Sequence, residues 1–168
     1  YDAVERRTTV YLRSDRGVLL LREEAEGAGG AEARTSVTHA PPLLWLPSEI
    51  APGATWTVEG VRQEGVTVDL RARVSGPEDV TTDAGRHPGC LVVRYEGAFT
   101  GATRLGAESV DIEEGKYVRT LWLAKGVGIV RAETETRLRL RDREGKEIRS
   151  TQTLRETLQS TGAAASSK

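Results

Sequence analysis

Two histidines, one cysteine, the adjacent carboxylates Glu23-Glu24 and Glu113-Glu114, and the Gly-x-Gly at 126–128 are the residues of this chain weighed for chemistry. His39 and His87 lie in loop-like segments, with no Cys or His partner at zinc-ligand spacing, so no metal is expected. Cys90 opens the apolar run Cys-Leu-Val-Val-Arg-Tyr (90–95), which reads as an interior strand. A thiol there is a small core group rather than a nucleophile. Glu23-Glu24 and Glu113-Glu114 are sequence neighbours, so in extended chain their carboxylates point to opposite faces and make poor acid–base dyads. Gly126-Val127-Gly128 has neither the third glycine nor the following helix of a nucleotide loop, and reads as a kink or bulge between strands. No catalytic constellation and no cofactor motif emerges. The expectation is a non-enzymatic protein without a cofactor; its rival is an enzyme whose site has no recognisable signature.

The elements that would position any site are strands. Tyr117 to Val130 is the longest apolar stretch of strong β composition, broken once at Gly126-Val127-Gly128, and predicts two adjacent strands in mid-sheet. Residues 5–13 and 18–24 flank the turn Ser14-Asp15-Arg16-Gly17. Residues 55–62 and 66–74 form a second pair. In it Val66, Val68, Leu70, Ala72 and Val74 alternate with polar residues, as in a strand with one wet face. Glu78 to Thr82 is a short strand and residues 83–89 a turn. Strands at 109–112 and 116–124 flank another turn, and strands at 127–141 and 146–158 complete the set. Residues 25–34 carry three glycines and no β-branched residue, and read as a surface loop. Only residues 100–109 hint at a helical period.

Four tripeptides end in glycine between strands: Asp15-Arg16-Gly17, Gln63-Glu64-Gly65, Glu113-Glu114-Gly115 and Arg143-Glu144-Gly145. Each is expected to be a three-residue hairpin loop with glycine at positive φ. Such loops pair residues of equal parity, which predicts Leu140 opposite Ile148, Val130 opposite Leu158, Val58 opposite Leu70 and Trp56 opposite Ala72. The fold class expected is all-β: a curved antiparallel sheet, half-barrel or open barrel, built from consecutive hairpins. Residues 1–159 form a single domain and residues 160–168 a disordered tail.

Two stretches bear on binding. Ala40-Pro41-Pro42-Leu43-Leu44-Trp45-Leu46-Pro47 is apolar, yet three prolines keep it out of a central strand or a helix interior. It reads as a loop across the core or as a lip that meets a lipid or partner. Leu43, Leu44, Trp45 and Leu46, together with Trp56 and Trp122, are the candidate lining of a cavity mouth for a hydrophobic ligand. On 131–141, Arg131, Glu133, Glu135, Arg137, Arg139 and Arg141 alternate with Ala, Thr and Leu, placing six charges on one strand face. That is either a solvated outer face with cross-strand pairs such as Glu133–Arg155 and Arg141–Glu147, or a charged docking surface.

The formal net charge is −1, from 24 basic and 25 acidic residues, which excludes the basic footprint of a nucleic-acid binder. One cysteine allows no internal disulfide. No run reaches transmembrane length. The chain begins at Tyr1 without Met, which fits either a removed leader or a trimmed sequence; the expectation assumes a leader or anchor that this sequence does not include.

Three segments carry a family resemblance. Residues 42–56 (Pro-Leu-Leu-Trp-Leu-Pro-Ser-Glu-Ile-Ala-Pro-Gly-Ala-Thr-Trp) resemble a Gly-x-x-Trp motif of certain bacterial envelope proteins. Residues 78–93 are similar to their E-x-V-x-x-P-A-G-x-F-x-C-x-x-V segment, departing from it at Asp83 and at His87-Pro88. Residues 121–130, with Trp122, Gly126, Val127 and Gly128, resemble their W-x-x-x-GVG-x-V signature. These are secreted or lipoprotein domains reminiscent of the LolA/LolB-like lipoprotein carriers. The resemblance implies a periplasmic or outer-membrane-associated protein. Its partners would be a lipid or acyl chain, or an envelope protein. The alternative is an interaction module docking through its charged sheet face or its edge strands.

Overall fold

The structure, a computed structural model, describes residues 4–27, 34–63, 66–105 and 108–158. Strands make up 85% of it and there is no helix. β1 (Val4–Ser14), β2 (Gly17–Gly27) and β3 (Arg34–Pro47) form a three-stranded antiparallel sheet in the order β1-β2-β3. β4 (Thr55–Gln63), β5 (Val66–Thr82), β6 (Gly85–Leu105), β7 (Glu108–Ala124), β8 (Gly128–Arg141) and β9 (Glu147–Thr157) form a six-stranded antiparallel sheet in chain order. Every neighbour is a hairpin partner, and the sheets do not close into a barrel.

The smaller sheet lies on one face of the larger. Alternation along β5 turns Val68, Leu70, Ala72 and Val74 inward, where they are all but fully buried. Val93, Tyr95, Tyr117, Leu121, Ala132, Leu138 and Leu140 continue this apolar face across β6 to β8. Leu20 of β2 and Trp45 and Leu46 of β3 press onto it from above, so the two sheets share one core. A second, smaller cluster of Val80, Cys90, Val92, Trp122 and Val130 forms where bulges shift the register of β5 against β6 and of β7 against β8. Cys90 is a fully buried core residue, as its apolar run predicts.

The expected pairings hold: Leu140 faces Ile148, Val58 faces Leu70 and Trp56 faces Ala72. The Leu158 amide donates to the Val130 carbonyl at 2.9 Å. The turns that set these registers differ from expectation. Ser14 pairs with Gly17, so that loop is Asp15-Arg16 alone. Gly17, at φ 131°, begins β2 because a Cβ there would stand 2.0 Å from the Leu46 carbonyl oxygen. Gln63 pairs with Val66, and a bulge between Val58 and Val61 restores the parity that a third loop residue would have supplied. The β8–β9 loop spans 142–146, with Gly145 at φ 83°. Glu113-Glu114-Gly115 is no turn. It lies inside β7, and Gly115 is needed because the Phe99 ring packs on it, 2.5 Å from where a Cβ would be.

Lys125-Gly126-Val127 is a hairpin loop between β7 and β8, and Gly128 opens β8, so the Gly-x-Gly is not a kink within the sheet. Ala124 pairs with Gly128, Val127 donates to the Ala124 carbonyl at 3.1 Å, and both glycines sit at positive φ, 77° and 102°. Here the three-residue loop does occur. The Pro-rich stretch is also a strand, not a loop: it is the second half of β3, an edge strand, where proline costs no ladder hydrogen bond on the free side. The 25–34 loop is shorter than expected, because 25–27 belong to β2 and Arg34 to β3; residues 28–33 lie outside the described residues. Residues 100–105 continue β6 without a helical turn. The separate strand expected at 78–82 is the end of β5, and Gly85 to Gly89 begin β6. The tail, 160–168, lies outside the described residues.

Candidate functional site

The Pro-rich strand delivers Trp45 to the centre of the molecule. Its ring stacks on Tyr95 at 4.5 Å between centroids, and Trp56 meets the same tyrosine edge-on at 5.9 Å. The Trp45 carbonyl accepts two hydrogen bonds, from the Tyr95 hydroxyl at 2.8 Å and from the Trp56 indole at 3.1 Å. Two residues of the larger sheet are thereby tied to one backbone atom of the smaller. Burial pushes the Tyr95 hydroxyl well above the ordinary phenol range. Trp45 and Leu46 are buried, Leu43, Leu44 and Trp56 half-buried. None of these five lines any of the three grooves described here. Trp45 and Leu46, with Leu43 and Trp56 packed against them, fill the space between the sheets, and Leu44 is not part of that core.

Trp122, the sixth candidate, points to the opposite face of the larger sheet. Its indole donates to Glu78 at 2.8 Å and the Arg131 guanidinium lies 4.7 Å above its ring. It is the apolar floor, with Val92, of a trough of 970 Å³ that crosses β4 to β8. Register assembles this trough from separate strands. One row of residues runs Thr55, Arg73, Arg94, Thr120 and Glu133; the next runs Ser75, Val92, Trp122 and Arg131. Arg71 lies opposite Glu96 one row further on.

The charges of the trough are unevenly paired. Glu96 binds Arg94 at 2.7 Å, Glu133 binds Arg131 and reaches Arg155 at 3.3 Å, and Glu78 holds Trp122. The cross-strand pair Glu133–Arg155 is thus present as the sequence predicts. Arg141 instead binds Glu113, which holds that carboxyl below the usual range by a hydrogen bond. Among the described residues, Arg71 and Arg73 have no acidic partner and no hydrogen bond. Arg73 also stands directly opposite Arg94, a like-charge pairing that antiparallel sheets disfavour. Single-strand alternation could flag the face of β8, but Arg71, Arg73, Arg94 and Trp122 come together only through the register of four strands.

The histidines are strand residues in β3 and β6, not loop residues, and both are buried. His87 shares a hydrogen bond of 3.2 Å with the Thr82 hydroxyl, and His39 lies 3.7 Å from Glu23. Among the described residues no three His, Cys, Asp or Glu side chains gather as a metal site would require. No described helix exists to cross a membrane, which leaves strands out of account. Comparison of the chain with protein-family models, with curated proteins and with solved structures finds no match.

Proposed function

We propose that this protein is a non-enzymatic docking module that engages a partner across the outer face of β4 to β8, as a component of a cell-envelope assembly. The observation that carries the reading is the unequal pairing of the trough: each of its carboxylates has a partner, whereas Arg71 and Arg73 have none. An acidic group of the partner would meet these two arginines, where bidentate recognition of a carboxylate suits guanidinium geometry. An apolar group beside it would cover Trp122 and Val92. A lipid or acyl chain enclosed between the sheets has less support, because Trp45, Trp56 and Tyr95 occupy that space. The envelope location rests on the residues around Trp122 and Gly126 that resemble envelope proteins.

The test is a titration followed by backbone amide and indole NMR signals, with a synthetic peptide alternating Glu and Leu. The expected result is shifts at Arg71, Arg73, Arg94 and the Trp122 indole, lost in the double variant Arg71→Ser/Arg73→Ser. A peptide alternating Lys and Leu should leave these signals in place. Equal shifts with both peptides, or none with either, would reject the reading. Fractionation of cells of the native host tests the location: recovery in the cytosol alone refutes the envelope assignment.

A further inference from the structure

A smaller groove of 270 Å³ opens between Thr9 and Tyr11 of β1 on one side and β8 and the end of β9 on the other. At its base lies Arg119 of β7, only 4% exposed. Ordinarily a buried guanidinium is held by several acceptors in fixed geometry. Arg119 is not. Its Nε has no acceptor. Its one carboxylate partner, Glu156, approaches a single terminal nitrogen at 3.4 Å, from a side chain 44% exposed near the end of edge strand β9. The Tyr117 hydroxyl hydrogen-bonds the guanidinium and the Trp45 ring lies 5.8 Å from it, so the cation is held in place while its Nε is left without an acceptor. The other wall of the groove is mostly aliphatic, made by Ile129, Val130, Ala132 and Leu158, with Arg131 and Thr157 between them.

We propose that this groove is a binding site for a short aliphatic carboxylate, with Arg119 as its fixed cation and Glu156 as the carboxylate that the ligand displaces. The aliphatic wall receives the tail, and the Tyr11 and Thr9 side chains border the head group. A phosphate would leave that wall unused, which is why the site is assigned to an aliphatic acid. This site is separate from the trough on the outer face, since Arg119 alternates with Val118 and Thr120 to the inner side of β7.

Sodium butyrate, titrated against sodium chloride at equal ionic strength, tests the assignment by amide chemical shifts. Saturable shifts confined to Thr9, Tyr11, Ile129 to Ala132 and Thr157 are expected, with a Kd on the order of millimolar for so few ligand atoms. Glu156→Gln removes the competing carboxylate and should tighten butyrate binding by roughly 5-fold, as for a partly exposed ion pair at the upper end of its range. This variant alters an exposed side chain and keeps the test open even if Arg119→Met does not fold. The proposal is overturned if butyrate acts no differently from chloride, if the shifts fall elsewhere, if Glu156→Gln binds no more tightly, or if inorganic phosphate binds and butyrate does not.

Discussion

The two faces of the six-stranded sheet are made by the same strands, one residue apart, and they have opposite characters. The inner face carries Leu70, Ala72, Val93, Tyr95 and Leu121, all fully buried beneath the smaller sheet. The outer face carries Arg71, Arg73, Arg94, Thr120 and Glu133, arranged in rows that face solvent. On the inner face some polar groups tie the two sheets together, as when Tyr95 and Trp56 both bind the Trp45 carbonyl, while Arg119 Nε and Thr134 Oγ1 are buried without partners. On the outer face the carboxylates of the trough are paired locally, while Arg71 and Arg73, among its described residues, have no ion-pair partner. Close packing therefore resides on one side of the sheet and the rows of exposed charge on the other, a division that strand alternation makes available without any change of backbone.

Trp45→Ala probes this division most severely. It removes the ring stacked on Tyr95 at the junction of the sheets, and should cost about 3–5 kcal/mol or abolish folding. A urea melt measures it; a loss below about 1 kcal/mol would show that the smaller sheet contributes little to the core.

Alkaline pH reaches the inner face through its tyrosines. Burial pushes the Tyr11 hydroxyl up to about 12 from 10.0, and raises Tyr95 as well. These groups keep their proton longer in the folded chain than in the unfolded one. Their stabilisation is thus complete below about pH 10 and is lost as pH rises toward 12, by on the order of 2 kcal/mol for Tyr11 alone. Denaturant midpoints measured across that window should fall, and fall less in Tyr11→Phe. Equal slopes in the two proteins would remove Tyr11 from the inner core.

The smallest effect belongs to the outer face. Arg73→Thr relieves the like-charge pairing with Arg94 and introduces a good strand former, so stability should change by less than about 0.5 kcal/mol, in either direction. A loss above about 1 kcal/mol would mean that the outer arginines hold the fold together, and the contrast between the faces would fail.

The sequence by itself determined the all-β class, the inward parity of β5, the Leu140–Ile148 and Val58–Leu70 registers, and the burial of Cys90. Alternation at period two is a local property and hairpins pair neighbouring segments, so parity came out right although a five-residue loop at 142–146 and a bulge between Val58 and Val61 stand where three-residue turns were expected. Tertiary structure decided the rest. Gly115 looks like a turn residue until Phe99, a cross-strand neighbour, is seen lying on it. The apolar prolines of β3 look like a lip until a second sheet places Trp45 against Tyr95 and assigns the strand to an edge. Trp122 and Trp45 look like members of one cavity, yet the sheet puts them on opposite faces. Arg119 carries no signal in an arginine-rich sequence, because its burial depends on Trp45 of the smaller sheet and its ion pair on Glu156 of β9. Contacts between sheets join residues that no periodicity relates, so only the packed molecule fixes which side chains meet.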